Sequence, residues 1–380
     1  MYRIFFIYLI MLVSVKSFTQ TYSFKLAKNL FEDKKYSAAQ SILDEFVSSN
    51  NYSAEILYLN ARCSKELFLS DAVFKYDQLN KLFPFNDFRN LTNRDLGLIY
   101  YRQGKFTEAS NYLLRLKDLS YELQFKLAYS LFSIDSIQNA KLYFSKIMNS
   151  DSKFASTSRY YYAYINYSGG FYQSALASFK KLLNDDKFKN IVPYYISQIY
   201  FSQKNYNQLI FFAKPILENV IASRKSEINR LLAEAYFQLD DFSSSIVHFE
   251  SFLQESLDNN LNEHLLLGYA YYKTLNYDKA IAELQNISSA SDSILQYSSY
   301  YLGESYLMKS NFNYALQAFK KSSSLNFDKK IKEAAYYNYA KLSYQLELPF
   351  DNTFDVLSKY VKEFDNEIHK KEIEGLIVKM

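Results

Sequence analysis

Apolar residues recur at helical spacing in pairs of short stripes parted by a tight polar break. One phrase returns as LGLIYYRQGKFTEASNYL at Leu96–Leu113, LGYAYYKTLNYDKAIAEL at Leu267–Leu284 and LGESYLMKSNFNYALQAF at Leu302–Phe319. Each stripe keeps the i, i+3, i+4, i+7 rhythm of an amphipathic helix, so each phrase predicts two helices folded back on each other. A small residue stands in the first helix at Ala27, Ala61, Gly97, Ala128, Ala163, Ser197, Ala233, Gly268, Gly303 and Ala340; the successive differences are 34, 36, 31, 35, 34, 36, 35, 35 and 37. A second small or modest residue follows at Ala39, Ala72, Ala109, Ala140, Ala175, Leu209, Ser245, Ala280, Ala315 and Thr353, at a distance of 12 in eight of the ten units.

An aromatic or aliphatic residue is expected just before the second helix at Tyr36, Phe106, Ile137, Tyr172, Tyr206, Phe242, Tyr277, Phe312 and Phe350. Four residues past the second small position comes a large apolar one, as at Leu43, Tyr76, Leu113, Phe144, Phe179, Phe249, Leu284, Phe319 and Leu357. Small residues at a crossing let two backbones approach, and large ones fill the space beside them. A hairpin of this size cannot bury its apolar face alone, whereas stacked neighbours bury a continuous one. With 7 Gly and 4 Pro for so many turns, strand-rich folds are disfavoured, and the reading is all-α.

The pattern resembles the tetratricopeptide repeat (TPR): a small residue, Tyr three later (Tyr100, Tyr200, Tyr236, Tyr271, Tyr306), an aromatic before the second helix, Ala, then Phe or Leu. The resemblance covers about residues 22–361, and the domain reading is residues 21–361 as one solenoid. It implies a right-handed superhelical solenoid of about ten TPR-like helix-turn-helix hairpins, with the first helices lining a concave face. Two features depart from the family: its early Trp is absent throughout, and its closing Pro stands only as Pro84. The sixth and tenth units are the least regular. Residues 362–380 predict a further helix, either a cap or the start of an eleventh unit. Its apolar face of Ile373, Leu376, Ile377 and Met380 is expected to lie uncovered, and so to associate or fray.

Residues 1–20, MYRIFFIYLIMLVSVKSFTQ, place Arg3 before the apolar run Ile4–Val15 and then a polar, small-residue stretch. That is the layout of a cleaved signal peptide, with cleavage near Thr19 or Gln20. The run of 12 residues falls short of the ~20 that span a bilayer, so an uncleaved anchor is the lesser alternative. The mature chain is expected in the periplasm or cell envelope of a bacterium, with no transmembrane span.

Charge narrows the partners. Lys plus Arg exceed Asp plus Glu by 44 − 40 = 4 with no basic block, so no footprint for nucleic acid is visible. Cys63 is the only cysteine and reads as a small buried residue. His248, His264 and His369 lie in different units without a second ligand at zinc spacing. Gly169-Gly170 lacks the Lys-Ser/Thr of a phosphate loop, and Asp185-Asp186 and Asp240-Asp241 read as turn acids. The chain is therefore read as no enzyme, with no catalytic residue, metal or cofactor.

What remains is surface. On the first helices stand Phe125, Tyr129, Phe132, Tyr160, Tyr164, Tyr167, Tyr194 and Phe201, which the resemblance turns toward the concave face and which are the candidate partner-binding residues. Further aromatics follow in later units, and with 38 Tyr in the chain inter-helix packing is the competing role for any one ring. By resemblance the function is non-catalytic binding of a protein or peptide segment by an envelope scaffold. An adaptor role in outer-membrane or secretion machinery and glycan or peptidoglycan recognition by the aromatic groove are the alternatives. Arg102, Arg230 and Lys341, expected near the groove, favour peptide.

Overall fold

The computed structural model describes residues 21–255, 261–348 and 350–380, so the expected signal peptide lies outside the described residues. Among the described residues the chain is helix and turn, with no strand. Helices α1 (residues 21–32) and α2 (Tyr36–Ser48) form a first hairpin, and α3 (Ala54–Glu66) with α4 (Ala72–Leu82) a second. The third pairs α5 (Arg89–Arg102) with α6 (Phe106–Leu113), and the fourth α7 (Tyr121–Ser133) with α8 (Ile137–Ile147). The fifth pairs α9 (Ala155–Ser168) with α10 (Tyr172–Lys180), and the sixth α11 (Val192–Ser202) with α12 (Tyr206–Ala213), which runs on into a 3-10 turn at Lys214–Asn219. Then come α13 (Ala222–Gln238) with α14 (Phe242–Glu255), α15 (Leu261–Lys273) with α16 (Tyr277–Leu284), α17 (Asp292–Met308) with α18 (Phe312–Ser323), and α19 (Lys329–Gln345) with α20 (Phe350–Glu363). A last helix, α21 (Glu367–Lys379), follows. The chain divides into two compact units, Met1–Ser178 and Phe179–Met380.

Packing inside a hairpin follows the small-against-large rule. Ala27, Ala39, Ala109, Ala128, Ala140, Ala163, Ala175, Ala233, Ala280, Ala315 and Ala340 have no exposed surface. At three positions even a methyl group has no room: a Cβ built on Gly97 would lie 2.7 Å from Leu113, on Gly268 2.6 Å from Leu284, and on Gly303 2.8 Å from the Phe319 ring. Those large residues are themselves fully or almost fully buried, as are Leu43, Tyr76, Phe144, Phe179, Phe249 and Leu357.

The turns share one conformation that the composition does not disclose. Seven residues past each small position the backbone enters the left-handed region, at Lys34, Phe68, Gly104, Asp135, Gly170, Lys204, Asp240, Leu275, Ser310 and Glu347. Each first helix closes there by the same pair of bonds: Gly104 N–H donates to the Tyr101 carbonyl and Lys105 N–H to that of Tyr100, each at 3.0–3.1 Å. This is the Schellman end of a helix, which normally selects glycine for its positive φ. Only Gly104 and Gly170 are glycine here, so at the other eight turns the packing of the two helices holds a strained side-chain-bearing residue. The aromatic or aliphatic residue expected before the second helix is instead its first residue: Tyr36, Phe106, Ile137, Tyr172, Tyr206, Phe242, Tyr277, Phe312 and Phe350 open α2, α6, α8, α10, α12, α14, α16, α18 and α20.

The last helix departs from expectation. Ile373 is fully buried in a cluster with Tyr336, Ala340, Leu357 and Tyr360, and Leu376 and Ile377 pack partly buried against it. The apolar face is thus covered by the tenth hairpin, while Met380 remains 37% exposed. Gly375 stands 35 residues after Ala340, in the register of a next unit, yet a Cβ there would meet nothing within 4 Å. The residue preceding the small position is buried Leu or Ile in five other first helices (Leu96, Leu127, Ile196, Leu232, Leu267), but here it is exposed Glu374. α21 therefore presents the polar Glu374 where those first helices present Leu or Ile.

Candidate functional site

In the first unit the candidate rings converge. Helix α7 carries Phe125, Tyr129 and Phe132 along one side, and α9 carries Tyr160, Tyr164 and Tyr167. Tyr161, which the pattern did not single out, stands between them: it stacks on fully buried Phe144 at 5.1 Å and meets Tyr129, Phe132 and Tyr160 at 5.3–5.6 Å. Phe132 meets Tyr164 at 6.1 Å, and Phe125 stacks on Phe154 at 5.1 Å. Tyr129 extends the seam to Tyr101 and Phe106 of the third hairpin at 6.0 and 5.5 Å. Burial, with the neighbouring Tyr129, pushes the Tyr161 phenol up to about 12.

All six unit-one candidates are half-buried, neither sealed in the core nor standing free. Helical spacing explains why: the positions three before, one after and four after the small residue flank the side that faces the second helix. Tyr161, two before the small residue, points between successive hairpins, and that offset is the signal that could have found it.

Beside the seam lies a cleft of about 390 Å³, lined by Phe132, Ile137, Lys141, Tyr164, Ile165 and Phe171 among others. Lys141 Nζ sits 4.8 Å above the Phe171 ring centre. The arrangement is an aromatic-walled recess with one cation at its edge, able to hold an apolar or ring side chain.

Tyr194 and Phe201 lie in the second unit. Tyr194 contacts Tyr195 at 5.2 Å and carries the Arg224 guanidinium 4.3 Å above its ring, and Phe201 meets Tyr206 at 5.9 Å. The three cations expected to face a ligand are engaged within the chain. Arg102 covers Phe68 at 4.9 Å, Arg230 binds Glu234 and Glu227, and Lys341 binds Glu372 at 2.8 Å. The inclination toward peptide drawn from them loses its support.

The remaining chemistry is structural. His248 stacks on Tyr236 and bonds Asn229 at 2.9 Å, and burial holds its imidazolium below the usual range. His264 bonds Glu283 and His369 bonds Glu333. Cys63 is fully buried, which pushes its thiol up to about 12. Among the described residues no three His, Cys, Asp or Glu converge as metal ligands, and no helix is long and apolar enough to cross a membrane. A charged cluster escaped the sequence reading: Asp95, fully buried, takes Lys65 Nζ at 2.9 Å and the Tyr76 hydroxyl at 2.9 Å. It ties α5 to α3 and α4.

No protein-family model matches the chain, and no curated protein matches it. Among solved structures it is similar to the C-terminal part of a TPR repeat-containing protein from Cytophaga hutchinsonii, with 16% identity over 62% of this chain and 96% of that one, TM-score 0.45. It is also similar to a tetratricopeptide repeat protein from Parabacteroides merdae, with 16% identity over 66% and 98%, TM-score 0.40. A chain of the structure of Naa15/Naa10 bound to HypK-THB matches at 13% identity, over 95% of this chain and 61% of that one, TM-score 0.48. These are loose superpositions, and the architecture stands on the chain's own packing: small residue against large, hairpin after hairpin at a spacing near 35, the chain is a TPR-like all-α helical repeat.

Proposed function

We propose that the protein is a non-catalytic interaction scaffold that holds a segment of a partner protein against the aromatic face of α7 and α9. One observation carries this reading: Phe125, Tyr129, Phe132, Tyr160, Tyr164 and Tyr167 form a half-exposed seam on adjacent first helices, with the cleft at Phe132, Tyr164 and Phe171 beside it. Tyrosine supplies large contact area at low entropic cost, and half-buried rings are already ordered before a ligand arrives. A standard interface takes about 800 Å² from each partner, an area on the scale of a few adjacent hairpins. We place the protein in the bacterial cell envelope, on the charged, apolar and small-residue order of residues 1–20.

The test is a pull-down from envelope extract with residues 21–380, run beside the Tyr160→Ala/Tyr164→Ala form and with melting temperatures measured for both. Partners captured by the first and lost by the second at an unchanged melt support the seam. Partners retained by the double variant sink it. Capture of glycan strands in place of protein would transfer the face to the glycan reading.

A further inference from the structure

The second unit holds a carboxylate of unusual setting. Glu304 lies on α17 one residue after Gly303. Its Oε1 accepts from Asn338 Nδ2 of α19 at 2.9 Å, and its Oε2 takes a long contact from the Tyr272 hydroxyl of α15 at 3.5 Å. The Tyr300 phenol stands one turn earlier on the same helix, α17. Beside them the phenol rings continue: Tyr301 meets Tyr269 at 4.6 Å, Tyr272 at 5.5 Å and Tyr300 at 5.2 Å.

Among the described residues no cation pairs with Glu304, unlike the charged residues that share its register. The residue in the same register on α13 is Glu234, which is paired with Arg230. On α19 that register holds Lys341, and its ammonium is taken by Glu372 and the Tyr337 hydroxyl. Lys273, on the tyrosine side, lies over Phe242 and Tyr269. Among the described residues Glu304 forms no ion pair, and burial raises its carboxyl above the ordinary range. A carboxylate offers about four acceptor positions, and the two neutral donors Asn338 and Tyr272 leave it room for a charged one. The Tyr272 and Tyr300 side chains stand beside this carboxylate, and an uncompensated carboxylate among phenol rings selects positive charge.

We propose that Glu304, Tyr272, Tyr300 and Asn338 form a receptor for a lysine or arginine side chain of a partner protein. The cation supplies the missing charge-assisted bond and lies against the phenol rings. The site needs nothing from the first unit, and it rests on the reading above only in taking its cation from a protein.

The experiment selects a random-peptide display library on residues 21–380. Enriched sequences are synthesised with each basic residue intact or replaced by Gln. Enrichment in Lys or Arg is expected, with at least about tenfold weaker binding for the Gln peptide and for Glu304→Gln against the basic peptide. The relative yield of Lys and Arg separates the two cations. Binding should persist in Tyr160→Ala/Tyr164→Ala, so failure of the seam and failure of this site are distinguishable. Selection without basic enrichment, or a basic peptide indifferent to Glu304→Gln, overturns the proposal. If Glu304→Gln melts early, a peptide bearing a photoreactive group beside its lysine decides on the wild type: crosslinks to α15, α17 or α19 support the site, and crosslinks elsewhere overturn it.

Discussion

Gly268 lies so close to Leu284 that a Cβ on the glycine would sit 2.6 Å from the leucine's Cδ2 and Cγ. The same relation joins Gly303 to Phe319, with the difference that a flat buried ring cannot fold aside as a leucine branch can. Gly303→Ala should therefore destabilise despite alanine's better helix propensity, and Gly268→Leu should cost about 1–3 kcal/mol by overpacking. Gly375→Ala is the control, because nothing lies within 4 Å of its Cβ. There the helix gains propensity alone and should stabilise by up to about 1 kcal/mol. Thermal melts of the three variants check the order, and a Gly303→Ala protein that melts above the parent contradicts the packing.

Tyr161 and Tyr164 stand one helical turn apart on α9 but do different work. Tyr161 stacks flat on buried Phe144, whereas Tyr164 also lines the cleft beside Phe132. Tyr161→Ala should cost about 2–4 kcal/mol. Tyr164→Ala should cost less and act on partner capture. Chemical denaturation of both variants, set beside the pull-down, separates them; equal losses of stability would make Tyr164 core.

The hairpin order was legible because a packing rule repeats in sequence: a small residue must face a large one, and that pair leaves its mark in nine of the ten units. The turns were not legible, because their left-handed residue is set by tertiary packing and is Lys34, Asp135 or Leu275 as readily as Gly104. On the seam, composition identified the tyrosines but not their depth. Tyr160 and Tyr161 are the same residue type one position apart, and what distinguishes them is their offset from Ala163, which sets how the helix turns each ring toward the neighbouring hairpin. Asp95 was invisible for a related reason, since its partners Lys65 and Tyr76 are distant in sequence and share no motif. The covering of Ile373, Leu376 and Ile377 was not legible either, because the Tyr336, Leu357 and Tyr360 that close over them belong to the preceding hairpin.

Asp95 is fully buried with Lys65, Arg94 and the Tyr76 hydroxyl around it. Removing the carboxylate leaves the nearly buried Lys65 ammonium only Glu66, at 3.2 Å, and strands the Tyr76 phenol, so Asp95→Leu should cost about 3–5 kcal/mol. Tyr76→Phe removes one donor of several and should cost about 1–2 kcal/mol. Urea titrations give both values. An Asp95→Leu protein as stable as the parent would show the ion cluster to be replaceable by apolar packing.

Ile373 anchors α21 to Tyr336, Leu357 and Tyr360. Ile373→Ala should cost about 2–5 kcal/mol locally. Because contacts in a repeat array run between neighbours, faster hydrogen exchange should be confined to α19, α20 and α21. Protection lost equally in α15 and α16 would refute a local anchor.

Alkaline pH should test the buried phenols together. Burial raises Tyr58, Tyr161, Tyr272 and Tyr336 each to about 12. Phenols in water ionise near 10, as they do in the unfolded chain. The folded state thus binds protons more tightly than the unfolded one. By linkage its advantage is complete below pH about 10 and declines as pH rises from there toward 12. Acid leaves these phenols protonated in both states, so their contribution should not change below neutrality. Following tyrosinate absorbance and helical circular dichroism on one sample resolves the question. A first phase near pH 10 from solvent-facing phenols should leave the helices intact, and a second, steeper phase should coincide with their loss. Full ionisation of every tyrosine with the helices still folded would show that the rings are not held from water as the structure places them.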